Sequence, residues 1–189
     1  MISPGNRPLK AKFILPALTE ATDPYWRPIK YSLFPPLGLA TLAAYLSPDD
    51  YAVIEDEHVQ PLTLDDTPDL VAIQVYITNA YRAYRLADHY RKRGAFVCLG
   101  GLHVTSLPEE ASAHSDTIFL GPGEQTFPQF LRDFRAGAPQ QVYVSNSGRT
   151  LERIPPIRRD LIHRRLYLVP NSIVVTRGCP QHCDFCYKD

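Results

Sequence analysis

Short apolar runs alternate with helical patterns along the first 137 residues, and this alternation constrains the fold more than any other feature of the chain. Strands that alternate with helices form a parallel sheet with right-handed crossovers. The chain is therefore predicted to contain a flavodoxin-like, doubly wound α/β domain with five parallel strands in the order 2-1-3-4-5. The five predicted strands are residues 12–15, 51–56, 69–77, 95–99 and 116–120.

The alternation stops after Gly137, where the sequence becomes rich in proline and arginine. Residues 1–137 are predicted to form the α/β domain, residues 138–170 a linker, and residues 171–189 the start of a second domain. A new apolar run from Ser172 to Thr176 predicts a strand in this last segment.

The balance of charge excludes several classes of partner. The chain has 20 acidic and 20 basic residues and no formal net charge, which gives no electrostatic reason to expect nucleic acid or an anionic membrane as a partner. No apolar run approaches the ~20 residues of a membrane span, and the N-terminus lacks the apolar core of a signal peptide. A cytoplasmic location without a membrane span is therefore expected.

Small and polar residues follow the predicted strands, at the edge where ligands of doubly wound sheets bind. Gly100 and Gly101 either form a tight turn or let a ligand approach the backbone, because neither has a Cβ. His103 either faces that ligand or lies in a solvated loop. The candidate cofactor-binding residues at this edge are Thr78, Asn79, Gly100, Gly101, His103, Gly121, Gly123 and Glu124.

Three cysteines near the C-terminus have the spacing C-x3-C-x2-C, at Cys179, Cys183 and Cys186. A four-iron cluster normally takes four thiolates, so three of them leave one iron open to bind a small molecule. A zinc site would need a fourth ligand, commonly from a second distant pair, and three packed cysteines without metal are the remaining alternative. The fourth cysteine, Cys98, lies in an apolar run and is predicted to be a buried small hydrophobe.

The segment Thr176–Cys186 resembles the start of a radical S-adenosylmethionine (SAM) domain. This resemblance implies that the three cysteines hold a [4Fe–4S] cluster whose open iron binds SAM, with Phe185 near the SAM adenine. The segments Pro35–Ala40, Gly100–Thr105 and Gly121–Glu124 resemble the cobalamin-binding domain that precedes the radical SAM domain in one large subgroup. There the nucleotide tail of cobalamin inserts beside the residues that correspond to Gly100 and Gly101.

The resemblance implies the N-terminal part of a cobalamin-dependent radical SAM enzyme, which cleaves SAM and then carries out radical methyl transfer or a rearrangement. Flavodoxin or ferredoxin is the implied electron donor, and the small-molecule substrate is not apparent. The strand at Ser172–Thr176 would be the first of an incomplete (β/α) barrel, so the fragment is expected to be inactive alone. A cobalamin-binding or other small-ligand-binding module without catalysis is the alternative.

One cobalamin motif is missing. Many cobalamin enzymes have Asp-x-His-x-x-Gly, whose histidine binds cobalt, whereas this chain has Asp56-Glu57-His58 without that spacing or glycine. His58 is therefore predicted to be a surface residue. The resembling subgroup generally lacks this ligand, so cobalamin remains the expected cofactor.

Overall fold

The computed structural model describes residues 7–18, 33–145, 152 and 154–175. Within them, parallel strands form one six-stranded sheet in the order β2-β1-β3-β4-β5-β6. The predicted order 2-1-3-4-5 is confirmed. The strands are β1 (Lys10–Leu15), β2 (Tyr51–Asp56), β3 (Leu70–Gln74), β4 (Phe96–Gly100), β5 (Thr117–Leu120) and β6 (Val142–Val144).

Helices cover both faces of the sheet, as expected for a doubly wound fold. Side chains from α1 and α5 pack on one face, and side chains from α2, α3 and α4 pack on the other. The helices are α1 (Leu37–Ala43), α2 (Ala80–Lys92), α3 (Leu102–Ser106), α4 (Pro108–Ser112) and α5 (Gly123–Arg135), with short 3-10 helices at Ile77–Asn79, Arg159–Leu161 and Arg164–Leu166.

Helix α5 shows how the sequence pattern produces this packing. Phe127, Phe130 and Phe134 recur at helical spacing and are all buried against the sheet. Gly137 then follows the helix with a φ of +76°, a conformation that favours glycine. No helix in the described part of the chain is long and apolar enough to cross a membrane.

The sheet contains one more strand than the five predicted from the sequence. Strand β6 pairs in parallel with β5, beyond the expected domain boundary at Gly137. Its central residue, Tyr143, is 3% exposed, whereas Val142 and Val144 on either side are exposed. A three-residue strand is too short to show a periodic pattern, and the preceding Pro139-Gln140-Gln141 looks like a loop.

Tyr143 is expected to account for most of the contribution of β6 to stability. Its ring stacks on Phe119 with centroids 5.5 Å apart, and its hydroxyl donates to Asp133 Oδ2 at 2.7 Å. We expect Tyr143→Ala to lower the free energy of unfolding by about 3 kcal/mol, and Tyr143→Phe by about 1 kcal/mol, in urea denaturation. Val144→Ala on the same strand is the control and should change stability by less than ~1 kcal/mol. Equal effects of the two alanine variants would contradict this role.

The segment 154–175, predicted as a linker and the beginning of a strand, packs against the sheet and α1. Ile162 is buried in the core, and the Arg158 N–H donates to Ala40 O at 3.2 Å. The Tyr167 hydroxyl donates to Asp56 Oδ2 at 3.0 Å, and both burial and that carboxylate raise the pKa of Tyr167. This segment is therefore attached to the α/β domain.

The strand predicted at Ser172–Thr176 is not formed over residues 172–175. Ile173 and Val175 are 71% and 72% exposed, and these residues join no sheet in the described part of the chain. A strand requires a hydrogen-bonded neighbour, and β-branched residues alone do not supply one. Thr176 and the residues after it lie outside the described ranges.

Candidate cofactor site at the carboxyl edge of the sheet

A cavity of about 160 Å³ lies between the sheet and helices α1 and α5. It begins where β3, β4 and β5 end, which is the edge predicted to bind a ligand. Ala72 and Cys98, on neighbouring strands, line its floor, and Leu39, Leu42 and Phe127 line the helical side. A cavity of about 150 Å³ is known to hold a benzene ring, so this cavity has room for an aromatic group of at least that size.

Glycines form much of the rim, namely Gly38, Gly100, Gly101, Gly121 and Gly123. A Cβ added at Gly38 would have no atom nearer than Gln74 Oε1, at 3.9 Å. A Cβ added at Gly100 would lie in ordinary contact with Phe119 Cβ, at 3.5 Å. Longer side chains at these two positions would reduce the space in the cavity. The sequence predicted Gly100, Gly101, Gly121 and Gly123 here but missed Gly38, which lies within the Pro35–Ala40 motif.

Gly101 is required by the protein's own backbone. Its φ is +118°, and a Cβ there would lie 2.5 Å from Val75 O and 3.0 Å from Val75 N. Both facts exclude any other residue without local rearrangement. Of the two sequence interpretations, a tight turn therefore describes Gly101, whereas close approach of a ligand is compatible with Gly100.

Thr105 joins the two glycine loops and was not predicted. Its hydroxyl donates to Gly101 O at 3.2 Å and accepts from the Gly121 N–H at 3.0 Å. Gly121 has a φ of +78°, and Ser145 lies 3.4 Å from where its Cβ would be. A threonine two residues after a buried histidine has no distinctive sequence signal, so only the fold shows its role.

Two polar side chains also line the cavity, Gln74 and Glu124. Gln74 Nε2 donates to the Tyr76 hydroxyl at 2.6 Å, and desolvation raises the pKa of Tyr76. Glu124 lies in the first turn of α5, where a carboxylate interacts favourably with the helix dipole. Burial raises the pKa of the Cys98 thiol well above its usual range, with a further contribution from Asp116, so Cys98 is uncharged. The prediction that Cys98 is buried is confirmed.

Three of the predicted site residues do not line the cavity. Thr78 is exposed in the turn after β3. Asn79 is buried, and it donates from Nδ2 to Pro16 O at 2.9 Å while accepting from the Tyr76 N–H at 2.8 Å. Asn79 therefore links the segment after β3 to the end of β1 through hydrogen bonds.

His103 is neither in a loop nor solvated. It belongs to helix α3, is 6% exposed, and places Nε2 3.4 Å from Glu110 Oε1. Its ring lies near Tyr84 of α2, with centroids 6.3 Å apart, on the side of the sheet opposite the cavity. The sequence could not show which way this side chain points.

The prediction that His58 is a surface residue was wrong. Its side chain is 10% exposed, and Nδ1 lies 2.9 Å from Asp56 Oδ1 at the end of β2. The two oxygens of the Asp56 carboxylate therefore contact two different side chains at the edge of the sheet, the His58 ring and the Tyr167 hydroxyl. None of the described histidines lines the cavity.

The predicted cluster ligands Cys179, Cys183 and Cys186, and the neighbouring Phe185, lie outside the described residues. Within the described ranges, no group of three or more His, Cys, Asp or Glu side chains could hold a metal ion. The iron–sulfur site therefore remains a prediction from the cysteine spacing.

Most of the residues that enclose the cavity lie in a segment that matches a known protein family. Residues 31–131 match the family model described as B12 binding domain, which covers 101 of the 189 residues. The chain belongs to the B12-binding domain family. The matched range contains α1, the ends of β3 to β5 and most of α5, which together enclose the cavity. The expectation of a cobalamin-binding domain is confirmed.

The curated relatives include methyltransferases. Bacteriochlorophyllide d C-8(2)-methyltransferase of Chlorobaculum tepidum is 34% identical over 79% of this chain and 35% of its own length. Bacteriochlorophyllide d C-12(1)-methyltransferase of the same organism is 31% identical over 62% of this chain and 27% of its own. Hopanoid C-2 methylase of Rhodopseudomonas palustris is 28% identical over 82% of this chain and 30% of its own. The chain spans about a third of the length of these relatives.

Proposed function

We propose that this chain binds cobalamin, with the nucleotide tail in the cavity between the sheet and helices α1 and α5. The observation that supports this most directly is a glycine-rimmed cavity at the carboxyl edge of the sheet, within the residues that match the B12-binding domain family. The residues fit such a ligand because Gly38 and Gly100 leave open space where other residues would place side chains. The tail base is aromatic, and the inner lining of the cavity is apolar.

The chain's own residues would bind and orient the cofactor. Leu39, Leu42 and Phe127 would exclude water from the tail, and Gly100 would allow it to reach the floor of the cavity. When bound, cobalamin supplies methyl-transfer chemistry at its cobalt. Because no described histidine lines the cavity, this part of the chain offers no imidazole to the cofactor there.

We propose methyl transfer as the reaction of the whole protein. The methyltransferases and the methylase among its relatives support this reaction class. The substrates named for those relatives are not part of the proposal for this chain. On this proposal, Cys179, Cys183 and Cys186 hold a [4Fe–4S] cluster, SAM binds its open iron, and Phe185 lies near the SAM adenine. A flavodoxin or ferredoxin would supply the electron. The spacing of the cysteines supports this part of the proposal.

Titration with hydroxocobalamin tests the binding function. We expect the wild-type chain to bind at sub-millimolar concentration, as read by equilibrium dialysis. Gly100→Ala should bind more weakly, and Gly100→Val weaker by about tenfold, because each added carbon occupies space above Phe119. Circular dichroism and thermal unfolding establish that both variants are folded.

Two outcomes would contradict different parts of the proposal. If the folded wild-type chain does not bind cobalamin at sub-millimolar concentration, the cobalamin function is wrong. If wild type and both Gly100 variants bind equally well, cobalamin remains but the tail does not occupy this cavity.

A further inference from the structure

The chemistry of the cavity changes with depth. At the edge of the sheet, the polar side chain of Gln74 lies in register with Gly100. The floor residues Ala72 and Cys98 are also in register with each other, and they lie two residues deeper along the same strands. Two residues of strand correspond to about 6.6 Å. A ligand that reaches the floor therefore passes from a partly polar rim into an apolar interior.

Among the described residues, those that line the interior offer few hydrogen bonds. Its side chains are those of Leu39, Leu42, Phe119 and Phe127, with the methyl group of Ala72 and the thiol of Cys98 on the floor. Backbone groups of β3 and β4 are paired in the sheet, as the register of Ala72 with Cys98 shows. The uncharged thiol is at most a weak donor and acceptor.

We propose that this cavity selects among corrinoids by the base at the end of the nucleotide tail, and that it favours a benzimidazole over adenine. This inference rests on the proposed function, since it requires the tail to enter the cavity. A dimethylbenzimidazole presents a largely hydrocarbon ring system with two methyl groups. Adenine presents an exocyclic amine and further ring nitrogens, which would lose their hydrogen bonds to water without gaining partners on the inner wall.

The test measures the affinity of the 189-residue chain for three corrinoids by equilibrium dialysis. They are cobalamin, the cobamide with adenine as its tail base, and cobinamide, which lacks the nucleotide. We expect cobalamin to bind about tenfold more tightly than the adenine cobamide, because a polar group buried without a partner carries a penalty of that order. Cobinamide should also bind more weakly than cobalamin, because it leaves the cavity unfilled.

The outcomes distinguish this inference from the proposed function. If cobalamin and the adenine cobamide bind equally, the cavity does not select by base and the inference is wrong. If all three bind equally, the tail does not contribute and the inference is again wrong, while corrinoid binding stands. If none of the three binds, the proposed function fails and the inference fails with it.

A matched pair of leucine variants assigns the selectivity to the cavity. Leu42→Gln places an amide on the inner wall, where it can both donate to and accept from adenine. It should reduce the preference for cobalamin over the adenine cobamide toward unity. Leu107→Gln makes the same change at a residue that is 47% exposed and outside the lining, and it should leave the preference unchanged. An unchanged preference in folded Leu42→Gln would overturn the assignment.

Discussion

Replacing Gly101 with valine is expected to destabilise the protein severely, by about 3 kcal/mol or more. The first carbon of the new side chain would lie 2.5 Å from Val75 O, and the backbone would have to keep a φ of +118°. Neither problem can be solved by rotating the side chain, because the clash begins at Cβ. Urea unfolding of wild type and variant, followed by circular dichroism, measures the effect.

Gly100→Val is the matched control for this prediction. A Cβ at the neighbouring residue meets only ordinary contact with Phe119, and Gly100 has no positive φ, so this variant should keep most of the stability. Equal stability of Gly101→Val and wild type would show that the β3–β4 edge is arranged differently. The comparison also means that loss of ligand binding in a Gly101 variant would not identify a ligand contact, whereas loss in a Gly100 variant would.

Serine at Cys179, Cys183 and Cys186 is expected to remove bound iron completely. The three thiolates are the proposed ligands, and a hydroxyl is a poor substitute for a thiolate at iron. Anaerobic reconstitution with iron and sulfide, followed by Mössbauer spectroscopy and iron analysis, should show about four irons per wild-type chain and none in the triple variant. Cys98→Ser, at the buried cavity floor, is the control and should retain the full iron content.

Zinc in stoichiometric amount, with no iron, would contradict the cluster assignment. Iron that persists in the triple variant would show that the ligands lie elsewhere. Cobalamin binding by the α/β domain is independent of either result. It would then support the alternative function of a binding module without radical chemistry.

The order of the sheet could be predicted because each of its first five strands carries a pattern longer than three residues. Residues 70–73 of β3 are all apolar and buried, a pattern typical of a strand covered on both faces. Strand β6 could not be predicted in this way, since its burial rests on the single residue Tyr143. Long-range pairing with β5 decides that this segment is a strand.

Lys12 shows a second limit of sequence patterns. It lies in β1, where a charged residue would ordinarily face water, yet its side chain is 0% exposed. Its ammonium group lies 3.0 Å from Glu55 Oε2 and 2.8 Å from Asp66 Oδ2. Those partners come from residues more than forty positions away, so no local pattern could indicate that this charge is compensated.

The parts of the candidate site made by glycines that follow strands could be predicted from the sequence. The parts that depend on the direction of a side chain could not. Gly100, Gly121, Gly123 and Glu124 line the cavity as expected. His103 follows the same strand but points to the opposite face of the sheet, because the tight turn at Gly101 leads directly into α3. The direction in which each side chain of a short helix points depends on the residue at which the helix begins. The sequence pattern did not identify that residue.

The hydroxyl of Thr105 has a consequence for the thermodynamics of binding. By joining Gly101 to Gly121, it holds two loops of the cavity rim together before any ligand arrives. A rim that is already ordered has little conformational entropy to lose, so the ordering penalty of association falls mainly on the ligand. Preorganisation of this kind allows a small contact area to give substantial affinity.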